Sequence, residues 1–171
     1  MLKLESMLSI NFLPNAIYKP ERCIRTTLDA AKQYNFPIET IIFEFAEVEM
    51  IKDSVAIKAI VDYYYKSGFL MAIDDVGSGY TGLGLLADFQ TNLAKLDMEL
   101  TRNINEDSAR QLIVKNCLNI FRDLKITPIA EGVETKEEFI CLGDFGIELM
   151  QGYLFAKPGF EHLLPVNFNA L

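Results

Sequence analysis

Carboxylate and carboxamide side chains recur near the carboxyl ends of the short apolar segments of this sequence. They are Asn11, Glu44, Asp74, Asp75, Asp97, Glu131 and Gln151. The carboxyl ends of parallel strands meet at one edge of a sheet or barrel, so we expect these side chains to converge there. Oxygen donors of this kind suit Mg²⁺, Mn²⁺ or Ca²⁺, whereas a single histidine and no paired cysteines disfavour zinc. The spacing therefore predicts a divalent-metal site.

The segment Ile73–Tyr80 is the densest of these signals, because Asp74 and Asp75 stand side by side where an apolar run ends. Adjacent carboxylates repel each other unless a cation or a proton neutralises them, which favours a bound metal ion. One alternative is a loop of solvated acids that cap the next helix. Another is a dinucleotide-binding turn, since residues 77–82 match the G-x-G-x-x-G pattern. The two aspartates disfavour that turn because they would place negative charge where it holds a pyrophosphate.

Lys95 and Asp97 lie two positions apart and therefore face the same side of a strand. They could form an exposed salt bridge, but their apolar neighbours indicate burial, where charged groups need partners and often mark a functional site. Glu44 stands alone inside an apolar strand, and Glu131 ends another. Glu47, at a strand end, is either exposed to solvent or supports the site.

Six apolar segments have the length and composition of buried strands. They span Met7–Leu13, Thr40–Ala46, Phe69–Asp75, Asn92–Met98, Thr127–Gly132 and Glu148–Phe155. The stretches between them show helical periodicity, with Pro20 suited to a first helical turn and Thr135 and Glu138 spaced as a capping box. This alternation predicts a parallel α/β sheet, either doubly wound or closed as a barrel, and the inward acids favour the barrel. With no linker or repeat, we expect one domain over residues 1–171.

The overall composition excludes several classes of protein. The 171-residue chain has a net charge of −8 and no Lys- or Arg-rich run, so it lacks the basic surface that duplex nucleic acid requires. No apolar run approaches the ~18 residues of a membrane span, and no signal-peptide core opens the sequence, so we expect no membrane insertion. The three cysteines form no C-x-x-C pair and are expected to stay reduced. These features predict a cytoplasmic protein.

Ordered motifs follow one another along almost the whole chain. They are Asn11; Glu44-x-x-Glu47; Asp74-Asp75-x-Gly77-x-Gly79-Tyr80; Lys95-x-Asp97; Glu131-Gly132-Val133-Glu134; and Gln151-Gly152-Tyr153-Leu154-Phe155-Ala156-Lys157-Pro158. In this order they resemble the EAL family of bacterial cyclic-di-GMP phosphodiesterases. The resemblance implies a TIM-like (β/α)₈ barrel and a hydrolase that converts cyclic-di-GMP to linear pGpG, with Mg²⁺ or Mn²⁺ as cofactor.

The resemblance also implies a role for each matched residue. The metal ligands would be Asn11, Glu44, Asp74, Asp75, Asp97 and Glu131. Lys95 would contact or help to activate the attacking water, and Lys95 and Glu131 are the catalytic candidates. Glu134 and Gln151 would support the site. Glu47 would hold the loop Asp75–Leu83, which the family uses in metal binding and at its dimer interface.

The sequence departs from the family in one respect that bears on activity. The Glu-Ala-Leu motif that names the family, and whose glutamate is a metal ligand, has no counterpart. The predicted strands number six where the fold has eight, so we expect a partial EAL domain without its first two βα units and with impaired activity. The alternative is an inactive module that binds cyclic-di-GMP or a protein partner. Strand edges left open by missing units favour a homo-oligomer.

Overall fold

The structure, a computed structural model, describes residues 7–17, 19–46, 54–78, 82–160, 162 and 164–166 of the chain. Six parallel strands form one sheet, in which they lie in sequence order. They are β1 (Leu8–Asn11), β2 (Ile41–Phe45), β3 (Leu70–Val76), β4 (Leu93–Leu96), β5 (Thr127–Ala130) and β6 (Leu149–Met150). Sequential parallel order with helical crossovers is the arrangement of a (β/α) barrel, and the sheet curls into half of one. The predicted barrel-like architecture is confirmed.

Helices connect the strands along the chain. They are α1 (Pro20–Cys23), α2 (Arg25–Tyr34), α3 (Ser54–Lys66), α4 (Gly82–Asp88), α5 (Met98–Thr101), α6 (Ser108–Leu124) and α7 (Lys136–Asp144). Pro20 occupies the first turn of α1, as predicted. The predicted capping box is confirmed at the start of α7, where Thr135 and Glu138 each accept a hydrogen bond from the other's backbone N–H. In the part of the chain that the structure describes, no helix is both long and apolar enough to cross a membrane.

The two faces of the sheet carry separate apolar clusters, because side chains alternate along each strand. On the convex face, Phe43 of β2 packs against Tyr64 of α3 and against Phe69, within the main core between sheet and helices. On the concave face, a smaller layer takes one residue from each of β2 to β5. This apolar floor consists of Ile42, Ala72, Leu93 and Ile129. It closes the concave side beneath the residues predicted to do chemistry.

The last strand is shorter than the predicted segment Glu148–Phe155. Only Leu149 and Met150 pair with β5, and the chain then turns. The path after the turn requires glycine at position 152, because a Cβ there would lie 2.0 Å from the carbonyl oxygen of Val133. The chain after β6 therefore lies directly against the peptide of Val133, in the loop that follows β5.

Candidate metal centre

Four charged side chains form a layer directly above the apolar floor. They are Glu44 of β2, Asp74 of β3, Lys95 of β4 and Glu131, which follows β5. Each stands two residues after a floor residue and therefore faces the same side of the sheet. Glu44 and Lys95 are each only 4% exposed to solvent. The period of two along the strands thus places a largely buried charged layer at their carboxyl ends.

Lys95 lies at the centre of this charged layer. Its Nζ is 3.1 Å from Glu44 Oε2, 3.0 Å from Asp74 Oδ1 and 2.7 Å from Glu131 Oε1. Its predicted burial is confirmed, which excludes the alternative of an exposed salt bridge with Asp97. One positive charge faces three carboxylates, so the layer attracts a further cation.

The carboxylates of Asp74, Asp75 and Glu131 offer oxygen atoms that all lie within 4.8 Å of one another. Neighbouring residues of a regular strand point to opposite faces, which would separate Asp74 from Asp75. The strand is irregular here: the pairing register with β4 shifts between Ile73 and Val76, and Asp75 has a left-handed backbone with φ of +58°. This bulge brings both aspartates to the same side. Three oxygen donors in this spacing fit a hard divalent cation.

Burial and neighbouring charges shift the pKa of Glu131, Lys95 and Asp75. Burial raises the pKa of Glu131 to about 7; hydrogen bonding to Lys95 opposes the rise, and the charge of Asp74 adds to it. Burial would lower the pKa of Lys95, but Glu131 and Asp74 together raise it well above its ordinary value. The pKa of Asp75 is also raised, first by burial and then by the negative charges of Asp74 and Asp97. At neutral pH the layer therefore holds the Lys95 ammonium group, and a bound cation would favour the ionised forms of Glu131 and Asp75.

The β1 side of the site is more open. Asn11 pairs in register with Glu44 and is exposed. Together with Asp74 and Asp75 it lines a cavity of about 360 Å³. Ser9, two residues before Asn11 on the same face, donates a hydrogen bond to Glu44 Oε2. Asn11 and Glu44 thus border the carboxylate group from the side of β1 and β2.

Asp97 is buried, but one of its oxygen atoms already has a structural role. Oδ1 accepts a hydrogen bond of 2.7 Å from the backbone N–H of Glu99 and so caps α5. Asp97 also lies near Asp75, and after burial and the charge of Asp74 its charge helps to raise the pKa of Asp75. The structure therefore brings Asp97 to the edge of the carboxylate group through Asp75.

The predicted supporting residues lie in different surroundings. Glu134 forms an ion pair of 2.5 Å with Arg102, and its side chain is 41% exposed. The backbone of Gln151 pairs with Ala130 and with Val133, while its side chain is exposed. Glu47 lies outside the described residues, as do residues 79–81 of the loop that it was expected to hold.

Sequence reasoning missed the polar contacts of Thr101 and Arg102 at the site, and it predicted Glu138 only as part of a helix cap. The hydroxyl of Thr101, a fully buried residue, donates to the carbonyl oxygen of Glu131. Arg102 pairs with Glu134, and Glu138 accepts from the backbone of Asn103. No local pattern in the sequence marks Thr101 or Arg102, whereas the capping-box spacing marks Glu138 without indicating its contact with Asn103.

The sequence matches the EAL domain family over residues 2–158. The chain belongs to the EAL domain family. A solved standalone versatile EAL protein from Vibrio cholerae O395, in a form bound to c-di-GMP, is 66% identical and superposes with a TM-score of 0.90 over 97% of this chain and 70% of that one. The Klebsiella pneumoniae BlrP1 manganese/cy-diGMP complex is 36% identical, with a TM-score of 0.80 over 89% of this chain and 39% of that chain.

Curated relatives of this EAL domain differ in their named activities. BluF of Escherichia coli K12, a blue light- and temperature-regulated antirepressor, is 35% identical over 153 residues, which are 90% of this chain and 38% of BluF. Several others are named as cyclic di-GMP phosphodiesterases. The EAL domain described here thus spans less than two fifths of BluF but most of the Vibrio protein.

Proposed function

We propose that this EAL domain is a metal-dependent phosphodiesterase that hydrolyses cyclic-di-GMP to linear pGpG. The observation that carries the proposal is the group formed by Asp74, Asp75 and Glu131, whose oxygens lie within 4.8 Å of one another beside Lys95. Support comes from the Vibrio relative, which binds c-di-GMP, and from the relatives named as phosphodiesterases. The donors are all oxygen atoms at the carboxyl ends of parallel strands, where barrel enzymes hold their active sites.

The residues that would hold Mg²⁺ or Mn²⁺ are Asp74, Asp75 and Glu131, with Asn11, Glu44 and Asp97 at their margins. Donor chemistry and net negative charge favour these ions, and the Klebsiella relative was solved with manganese. When bound, such an ion would polarise the phosphodiester and activate the attacking water. Glu47, Glu134 and Gln151 remain proposed supporting residues.

Lys95 would act as a fixed positive charge. In the metal-free protein its raised pKa keeps Nζ protonated at neutral pH, so it would donate hydrogen bonds. An ammonium group at this position would stabilise negative charge that develops on the phosphoryl oxygens. In the metal-free protein this protonation state favours contact with the attacking water over abstraction of its proton.

The test is an assay of cyclic-di-GMP hydrolysis by the purified chain with Mg²⁺, with Mn²⁺ and with chelator. We expect linear pGpG to form only when a divalent ion is present, and Asp74→Asn to abolish its formation. Asp88→Asn, an exposed aspartate at the end of α4, is the matched control and should retain activity. Absence of product from parent protein that is folded and loaded with metal would exclude the proposed activity.

A second candidate function is binding without cleavage. BluF, which is named as an antirepressor, matches 90% of this chain and favours this alternative. A binding module would retain affinity for cyclic-di-GMP in calorimetry and would form no pGpG with either metal. The assay and the titration together separate the two candidates.

The rate of hydrolysis is part of the proposal. The 171 residues contain no Glu-Ala-Leu motif, whose glutamate the family uses as a ligand. We propose that these residues, assayed by themselves, turn over at least ~10²-fold more slowly than a relative with that ligand, because metal and substrate would be less well oriented.

Self-association also remains a proposal. β1 pairs with β2, and among the described strands no other lies on its outer side. Leu8 on this strand and Leu13 after it are 47% and 59% exposed. Unpaired apolar edges tend to pair with another chain. Light scattering at micromolar concentration should therefore give a mass above that of the monomer, and a monomeric mass would contradict the proposal.

A further inference from the structure

Glu138, in the first turn of α7, is a buried acid that contacts two separate loops. It is 2% exposed to solvent. Its Oε1 accepts a hydrogen bond of 2.8 Å from the backbone N–H of Asn103. Its Oε2 accepts hydrogen bonds of 2.9 Å and 3.1 Å from the backbone N–H groups of Glu134 and Thr135. One carboxylate thus binds three backbone amides.

The two loops are those that carry Asp97 and Glu131. The first, residues 97–103, follows β4 and includes α5; the second, residues 131–135, follows β5. We call them the Asp97 loop and the Glu131 loop. Each therefore presents one of the candidate metal ligands, and Glu138 bridges them from outside the carboxylate group.

Other contacts join the same two loops. The hydroxyl of Thr101 donates to the carbonyl oxygen of Glu131, and Arg102 pairs with Glu134 at 2.5 Å. Gly132 lies so close to α5 that a Cβ there would be 2.5 Å from the Cβ of Met98. The Glu131 loop therefore has no space to shift toward α5, and its backbone N–H groups at Glu134 and Thr135 are hydrogen-bonded to Glu138.

Helix capping accounts for only part of what Glu138 does. The capping box requires one acceptor for the N-cap backbone N–H, which Oε2 supplies. The bond from Asn103 to Oε1 is not part of the box and spans 35 residues of sequence. Burial of a carboxylate is unfavourable unless hydrogen bonds compensate it. Burial alone would raise the pKa of Glu138, yet the three backbone N–H groups lower it, so the carboxylate stays ionised.

We propose that Glu138 is a positioning residue: by holding the Glu131 loop against the Asp97 loop, it fixes the Glu131 carboxylate relative to Lys95 and Asp74. The link to metal affinity rests on the proposed function, whereas the link between the two loops does not. Residues that orient metal ligands from outside the site alter metal affinity by roughly 10- to 100-fold when they are replaced.

The test variant is Glu138→Gln. Its side-chain oxygen can still accept from Glu134 and Thr135, so the cap is retained, but its NH₂ group then faces the N–H of Asn103 and the bond between the loops is lost. The matched control is Thr135→Ala, which removes the capping hydroxyl and leaves both oxygens of Glu138 in place. The two variants thus separate the bridge from the cap.

The first measurement is amide hydrogen exchange of the metal-free full chain. The N–H of Glu131 bonds the carbonyl oxygen of Leu96 at 3.1 Å and reports on the base of the loop. We expect Glu138→Gln to accelerate exchange at Asn103 and Glu131 at least ~10-fold, and Thr135→Ala to change exchange at Glu131 less than ~2-fold. Equal effects of the two variants at Glu131 would overturn the proposal.

The second measurement is Mn²⁺ affinity by calorimetry. We expect Glu138→Gln to weaken binding about 10-fold and Thr135→Ala to remain within about 2-fold of the parent. If the parent binds Mn²⁺ and Glu138→Gln binds it equally well, Glu138 does not position the ligand and the proposal fails. If the parent binds no Mn²⁺, the proposed metal site fails, and the exchange measurement alone decides the role of Glu138.

Discussion

The two sides of the charged layer are built differently. On the side of β4 and β5, Lys95 and Asp97 are 4% and 8% exposed, and the Glu131 loop is tied to its neighbour through backbone and side chains. On the side of β1, three of the four strand residues are exposed, including Asn11. The site therefore has a buried, hydrogen-bonded wall on the side of β4 and β5 and an exposed wall on the side of β1. We call them the rigid wall and the open wall.

From this difference we expect the rigid wall to determine metal affinity and the open wall to give access to the site. Each of β3, β4 and β5 lies between two strands, whereas β1 pairs with β2 on one side alone within the described sheet. A strand with backbone hydrogen bonds to a neighbour on each side holds its carboxylate in a fixed position. The geometry of the ligands in turn controls metal affinity. We therefore expect changes on the β3–β5 side to have larger effects than changes on β1.

The largest effect is expected at Asp74, which contacts Lys95 and belongs to the carboxylate group. Asp74→Asn keeps the size of the side chain and removes its charge, so Mn²⁺ affinity should fall at least ~100-fold. Calorimetry measures the affinity, with Asp88→Asn as the control. Binding within tenfold of the parent would place the metal elsewhere.

The substitution Lys95→Met tests the rigid wall, because Lys95 is the cation at the centre of the charged layer. The change leaves Glu44, Asp74 and Glu131 without their shared partner, and breaking a buried ion pair costs about 3 kcal/mol. Thermal unfolding of the metal-free protein should report this loss, and Mn²⁺ should stabilise the variant more than the parent. Turnover should fall further because the positive charge is gone.

The matched control for that change is Lys66→Met, which removes an exposed lysine at the end of α3. It should alter stability by less than ~0.5 kcal/mol. A Lys95→Met variant as stable as this control in the absence of metal would show that Lys95 does not hold the carboxylates together.

The raised pKa of Glu131 predicts a dependence on pH. The folded protein holds this proton up to about pH 7, whereas an ordinary glutamate releases it near 4.5, so the contribution of Glu131 to stability declines as pH rises between these values. Mn²⁺ needs the ionised carboxylate, so its affinity should rise up to ~10-fold between pH 6 and pH 8. Calorimetry across this range checks the slope, which Glu131→Gln should flatten.

The smallest effect is expected on the open wall. Asn11 is neutral and exposed, so Asn11→Ala should weaken Mn²⁺ binding only ~2- to 5-fold. Gln90→Ala, another exposed carboxamide, provides the reference titration. If Asn11→Ala weakened binding as much as Asp74→Asn, the contrast between the two walls would be wrong.

Periodicity explains why much of the fold and the charged layer could be predicted. Alternation along apolar segments marks strands, and one charged residue per strand at a shared phase places Glu44, Asp74, Lys95 and Glu131 on one face. The order of the six strands follows from their alternation with helices. Both kinds of alternation can be recognised in short stretches of the sequence.

The remaining features depend on contacts that no local pattern records. The left-handed backbone of Asp75 coincides with the register shift between β3 and β4, which pairing of two distant strands produces and no local pattern marks. Thr101 meets Glu131 across 30 residues, and Arg102 meets Glu134 across 32. The role of Asp97 as a helix cap was missed because α5 is a single four-residue turn, too short to show a periodicity.

The close approach of Gly152 to Val133 has a consequence for genetic screens. The space at this position is smaller than one methyl group, since a Cβ would lie 2.0 Å from the Val133 carbonyl oxygen and 2.4 Å from its nitrogen. Even the methyl group of alanine would clash with Val133 and displace the Glu131 loop. A screen for loss of the proposed activity would therefore rank position 152 beside the acidic residues, although glycine has no side chain with which to bind a substrate or an ion.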